Sequence, residues 1–94
     1  MDLKHAQEPA PRRFTPEQLG RLLEIDNSIK CECPNQVARL VRELGLFEDY
    51  ERGCANANAA DQAVHQRLYD LAVAARRALE DALELVIEHD GLKL

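Results

Sequence analysis

Apolar positions fall into three blocks, each with helical rather than alternating spacing. In the first, Leu19, Leu22, Leu23 and Ile25 form a short stripe behind the stretch "FTPEQL". Thr15 is a natural N-cap, Pro16 suits the first helical position, and Gln18 stands three residues after the cap. Phe14 and Leu19 are spaced for a hydrophobic staple. This helix is expected to end near Asp26 or Asn27. The second block opens at Pro34 and carries Val37, Leu40, Val41, Leu44 and Phe47, with its end expected around Gly53 and Cys54. Gly45 inside it costs roughly 1 kcal/mol relative to alanine and marks a close helix contact or a bend. In the third, Asn58 stands as N-cap with Asp61 in the first turn. A helix then runs from about Ala59 to Asp90, with Gly91 as its stop. Leu68, Ala72, Ala75, Leu79, Ala82 and Val86 make one stripe, which Leu71, Ala78 and Leu85 widen.

At about 1.5 Å per residue the third helix spans roughly 45 Å. One short and one medium helix cannot cover both of its apolar flanks. The pattern therefore predicts an all-α fold: an antiparallel hairpin of the second and third helices, with the short first helix packed across it. A second copy is expected to complete a four- or six-helix bundle by dimerisation. Residues 1–13 mix charge with Pro9 and Pro11 without periodicity and read as a flexible arm, leaving 14–94 as a single helical domain.

Composition narrows the function classes. The chain has 94 residues, a formal charge of −5 and no Trp. An acidic surface suits phosphate contacts poorly, so direct nucleic-acid binding is not expected. No apolar run is long enough to cross a bilayer, and the first residues lack the apolar core of a secretory signal. A cytoplasmic location follows as an expectation. Three cysteines make an odd number in a chain that is not cysteine-dense, so the thiols are expected reduced.

Two groups of residues carry candidate chemistry. In "SIKCECPNQV", Cys31 and Cys33 precede a helix start. Cys54 stands 21 positions beyond Cys33, roughly 31 Å along a helix, so one zinc ion cannot join all three thiols within a monomer. An antiparallel hairpin instead brings Cys31 and Cys33 toward Glu84, Glu88, His89 and Asp90. Two thiolates with an imidazole and a carboxylate suit zinc or iron. A redox pair is the alternative: Cys33 as N-cap would have a lowered pKa and Cys31 would resolve it. The third reading is a buried cap at Cys33 with Cys31 as a small apolar filler. At the hairpin's other end Glu48, Glu51, Cys54, Asp61 and His65 gather, the residue types that bundle metal sites use. They also suit solvated charges and caps. Tyr50 and Tyr69 read as packed rings with wet hydroxyls, and Arg76 and Arg77 as surface charges pairing with Glu80 or Asp81.

The series Cys31-Glu32-Cys33-Pro34, Phe47-Glu48 with Tyr50, Cys54, Ala60-Asp61-x-Ala63-x-His65 and Ala75-Arg76 resembles a small bacterial domain. It is found at the C-terminus of certain MerR-type helix-turn-helix transcriptional regulators. The resemblance spans roughly Phe14 to Leu92, and the C-E-C-P element is its distinctive part. It implies a dimerisation or effector module that does not read DNA itself, and it assigns no role to Cys31, Cys33, Glu48, Cys54, Asp61 or His65. The chain departs from the pattern in having alanine where proline is expected in Ala59-Ala60-Asp61, and with only the short arm ahead of the helices it is expected to be a stand-alone copy or an excised domain. The expected function is a homo-oligomeric interaction module with a protein partner, with a metal- or redox-responsive sensor at Cys31 and Cys33 as the alternative. No enzymatic activity is expected, because no phosphate-binding glycine loop or nucleophile elbow is present.

Overall fold

The computed structural model describes residues 9–25, 31–54 and 57–94. Three helices follow in chain order: α1, Pro16–Glu24; α2, Cys33–Gly53; and α3, Ala59–Asp90. No strand occurs among the described residues.

Local chemistry sets the helix ends. The α1 capping box forms as its sequence predicts: the Gln18 N–H donates to Thr15 Oγ1 at 3.1 Å, and the Thr15 N–H donates to Gln18 Oε1 at 2.9 Å. Phe14 and Leu19 are both buried in the core. The other end of α1 is held from outside. Asn35 Nδ2 of α2 donates to the carbonyls of Leu22, Leu23 and Ile25 at 3.0, 3.3 and 2.9 Å. Carbonyls at a helix C-terminus lack partners of their own, and here a side chain from the next helix meets them. The expected end of α1 at Asp26 or Asn27 lies outside the described residues.

At α2 the start shifts by one residue. Glu32, not Cys33, is the N-cap, and Cys33 and Pro34 are the first two helical residues. Proline fits because an N–H in the first turn has no helical acceptor to lose. In α3, Asn58 Oδ1 accepts from the Asp61 N–H at 2.8 Å. The helix closes on Gly91 at φ 64°, with Gly91 N–H and Leu92 N–H donating to Glu88 and Ile87 carbonyls at 3.3 and 3.0 Å. The left-handed turn favours glycine there.

Helices α2 and α3 run antiparallel: Glu48 reaches Arg76, and Glu51, further along α2, reaches His65, further back on α3. Helix α1 lies across α2. Phe14, Leu19 and Leu22 meet Ala38 and Val41 of α2 and Leu83 of α3 in a small apolar core.

The buried faces differ from the predicted stripes. On α2 the buried row is Pro34, Ala38, Val41, Gly45, Glu48 and Glu51, while Leu40 and Phe47 are exposed. On α3 it is Tyr69, Ala72, Val73, Arg76, Glu80 and Leu83. Leu68, Leu71 and Leu85 are exposed, as are Ala75 and Ala78. Charged side chains take inner positions that hydrophobicity alone would give to leucine.

Residues 9–13, within the segment expected as an arm, run across the hairpin. The Ala10 N–H donates to Tyr69 Oη at 3.1 Å, and the Pro11 carbonyl accepts from Arg76 Nη1 at 3.2 Å. Arg12 donates to the Gly45 carbonyl at 3.1 Å and pairs with Asp49 at 2.8 Å. Arg13 pairs with Asp81 and Glu84 at 2.6 and 2.9 Å. Gly45 therefore marks a close approach, though not of a helix: a Cβ there would lie 3.3 Å from Arg12 Nη1.

Candidate functional site

Four places could carry function: the cysteine end of the hairpin, its loop end, the buried charges between, and the uncovered side of the molecule.

At the cysteine end, Cys31 and Cys33 are both exposed and unbridged, so neither is the buried cap or apolar filler that one sequence reading expects. The N–H and the thiol of Cys33 both hydrogen-bond to the Cys31 sulfur, and this lowers the Cys31 pKa. Cys33 shifts the other way, raised first by its side-chain hydrogen bond to Cys31. The two thiols therefore shift in opposite directions, Cys31 down and Cys33 up. The cause is local: Cys33 lies inside the helix with its N–H aimed back at residue 31. The end of α3 does come close, as the hairpin argument requires. Its contribution is the Asp90 charge, which raises both thiols. His89 is exposed.

At the loop end, His65 Nδ1 lies 2.6 Å from Glu51 Oε2, and His65 Nε2 lies 3.4 Å from Asp61 Oδ1. Asp61 also accepts from the Ala57 N–H at 3.0 Å. Glu51 is buried, and its hydrogen bond is the main cause of a raised His65 pKa. The structure joins Glu51, His65 and Asp61 but takes Glu48 elsewhere, and Cys54 is half-buried beyond them. No group of three His, Cys, Asp or Glu side chains that could hold a metal ion occurs among the described residues.

Glu48 belongs to a buried charge centre that the sequence reading missed. Arg76 Nε and Nη2 donate to Glu48 Oε2 and Oε1 at 2.5 and 3.0 Å, and Nη1 donates to Glu80 Oε2 at 2.9 Å. Arg76, Glu48 and Glu80 are at most 1% exposed. Burial alone pushes the guanidinium pKa down, but the two carboxylates outweigh it and the pKa is raised. Arg76 is thus no surface charge, whereas Arg77 is exposed. A signal was available: Glu48 continues the 34, 38, 41, 45 row of α2, and Arg76 and Glu80 sit in the 69, 72, 76, 80, 83 row of α3. Opposite charges inside two facing rows at one height of a hairpin predict a pair. Four of the five guanidinium N–H groups are engaged within the protein. Beside it lies a cleft of about 240 Å³ walled by Phe14, Pro16, Leu19, Val41 and Leu46.

The uncovered side is apolar. Val64, Leu68, Leu71 and Leu85 of α3 are 57, 38, 50 and 68% exposed, and Leu40 and Phe47 of α2 are 49 and 39% exposed. Tyr50, expected as a packed ring, is exposed and stacks on Phe47 with ring centres 6.5 Å apart, whereas Tyr69 is buried. At 100° per residue, Leu40 and Phe47 lie roughly 20–40° beyond Glu51, away from the Arg12-facing Gly45. The exposed α3 row lies roughly a third of a turn from Arg76 and His65, away from the Arg13-facing Glu80 and Glu84. Both rows therefore border the groove opposite α1 and the N-terminal segment.

No helix among the described residues is long and apolar enough to cross a membrane. Compared with protein-family models, curated proteins and solved structures, the chain matches none.

Proposed function

We propose that this chain is a self-associating helical module, the dimerisation or effector part of a regulatory assembly of the kind its C-E-C-P resemblance implies. One observation supports the reading: the exposed apolar row of α3, with Leu40 and Phe47 of α2 beside it, on the side opposite α1. A chain of 94 residues gains much from covering such a face, since small domains bury too little surface alone. Size-exclusion chromatography with light scattering tests it. The expected mass is twice the 10.6 kDa of the chain. Leu68→Glu with Leu71→Glu, both at exposed positions, is expected to yield a folded monomer with unchanged helical circular dichroism. A wild-type monomer at high micromolar concentration refutes the proposal.

A second reading, thiol-based sensing, is favoured by the contact between the exposed Cys31 and Cys33 sulfurs and the lowered Cys31 pKa. Its test is the alkylation rate of each thiol against pH, and two ordinary, equal thiols would remove it.

A further inference from the structure

We infer that two copies pair through antiparallel α3 helices, about a two-fold axis between Arg76 and Arg77, to make a four-helix bundle with α1 outside. This rests on the self-association proposed above and adds the partner's identity, direction and register.

The outward row of α3 is Val64, Leu68, Leu71, Ala75, Ala78, Ala82 and Leu85, all exposed except the half-buried Ala82. Its steps alternate four and three without interruption, the 3.5-residue period of a two-helix seam rather than the 3.6-residue period of a single buried face. The partner such a seam fits is another helix with the same repeat, and α3 itself has it. The corresponding row of α2, Leu40 and Phe47, is interrupted by the exposed Glu43, so α3 forms the main contact and α2 the second edge. Because the seam lies roughly a third of a turn from the α2-facing side, α2 and the second α3 occupy neighbouring corners around α3, as bundle geometry needs.

Side-chain size and charge set the direction. With the axis between Arg76 and Arg77, Leu68 meets Leu85 of the second copy, Leu71 meets Ala82, and Ala75 meets Ala78. Large side chains thus occupy the ends and small ones the centre, where the helices approach most closely. Arg67 on the rim comes beside Glu88 of the second copy. Neither residue is in an ion pair among the described residues, and both are exposed. A parallel arrangement would instead leave Arg67 and Glu88 of the two copies roughly 31 Å apart along the axis.

Cysteine cross-linking tests the register, in a chain with Cys31, Cys33 and Cys54 replaced by serine and its fold checked by circular dichroism. Mixing Leu68→Cys with Leu85→Cys chains is expected to give the mixed disulfide, and Leu68→Cys alone none. A Leu68→Cys disulfide with itself, in a dimeric protein, overturns the antiparallel register while leaving self-association standing. A monomer by light scattering removes both. A dimer that cross-links at neither position also overturns the inference. As an independent measure in the native-cysteine chain, Arg67→Glu is expected to weaken dimerisation about fivefold and Glu88→Arg, added to it, to restore it. No change with either substitution counts against the register.

Discussion

Replacing Arg76 by methionine isolates the largest single contribution visible in the structure. The guanidinium is 1% exposed and makes four hydrogen bonds: two to Glu48, one to Glu80 and one to the Pro11 carbonyl. Methionine approximates its aliphatic volume but leaves the buried Glu48 without its cation, while Glu80 keeps the Arg13 N–H at 3.1 Å and the Arg13 Nε at 3.5 Å. Breaking a buried pair in this way costs about 3–5 kcal/mol, because the orphaned charge has no water to turn to. A domain of this size has only about 5–15 kcal/mol in total, so Arg76→Met is expected to be barely folded at 37 °C. Urea unfolding with linear extrapolation measures the loss, at one fixed protein concentration because self-association would add to stability. Adding Glu48→Leu and Glu80→Leu should recover most of the loss, as apolar replacement of a whole buried centre is often neutral or better. A cost for Arg76→Met below about 1 kcal/mol, or a triple variant less stable than the single one, would refute the reasoning.

Further outcomes are expected at other sites. His65 has a folded pKa raised above its unfolded value by Glu51, so its contribution is complete below the unfolded pKa and is lost as pH rises through the folded one. Thermal melts from about pH 6 to 8.5 should show a decline that His65→Gln flattens, and parallel profiles for the two proteins would contradict the assignment. Asn35→Ala removes the side chain that meets three α1 carbonyls, and denaturant titration should show about 1–2 kcal/mol lost. Gly45→Ala presses only on the flexible end of Arg12, so the gain in helix propensity should dominate and raise stability by up to about 1 kcal/mol. A loss in the same titration would mean that Arg12 cannot give way. Brief alkylation near neutral pH, read by mass spectrometry, should label Cys31 ahead of Cys33.

The sequence by itself determined the number of helices and most of their ends. Those depend on contacts between near neighbours: the Thr15–Gln18 box, the Asn58 cap and the Gly91 turn each lie within a few residues of what they satisfy. It also determined that the cysteine end of α2 meets the end of α3, because a short connection between two long helices forces them antiparallel. The tertiary structure alone decided which way each helix faces. Leu40, Phe47, Leu68 and Leu85 fit the apolar periodicity as well as Ala38, Val41 and Leu83 do. Periodicity gives the direction of a stripe only to within a turn fraction, and a helix with two apolar flanks has two such directions. The choice went with the Glu48–Arg76 pair, whose hydrogen bonds form only when both helices bring those residues inward. The N-terminal arginines likewise found acceptors far along the chain that no local pattern reveals. Turning the charges in turned the leucines out, and the apolar seam on which the proposed function rests is the consequence.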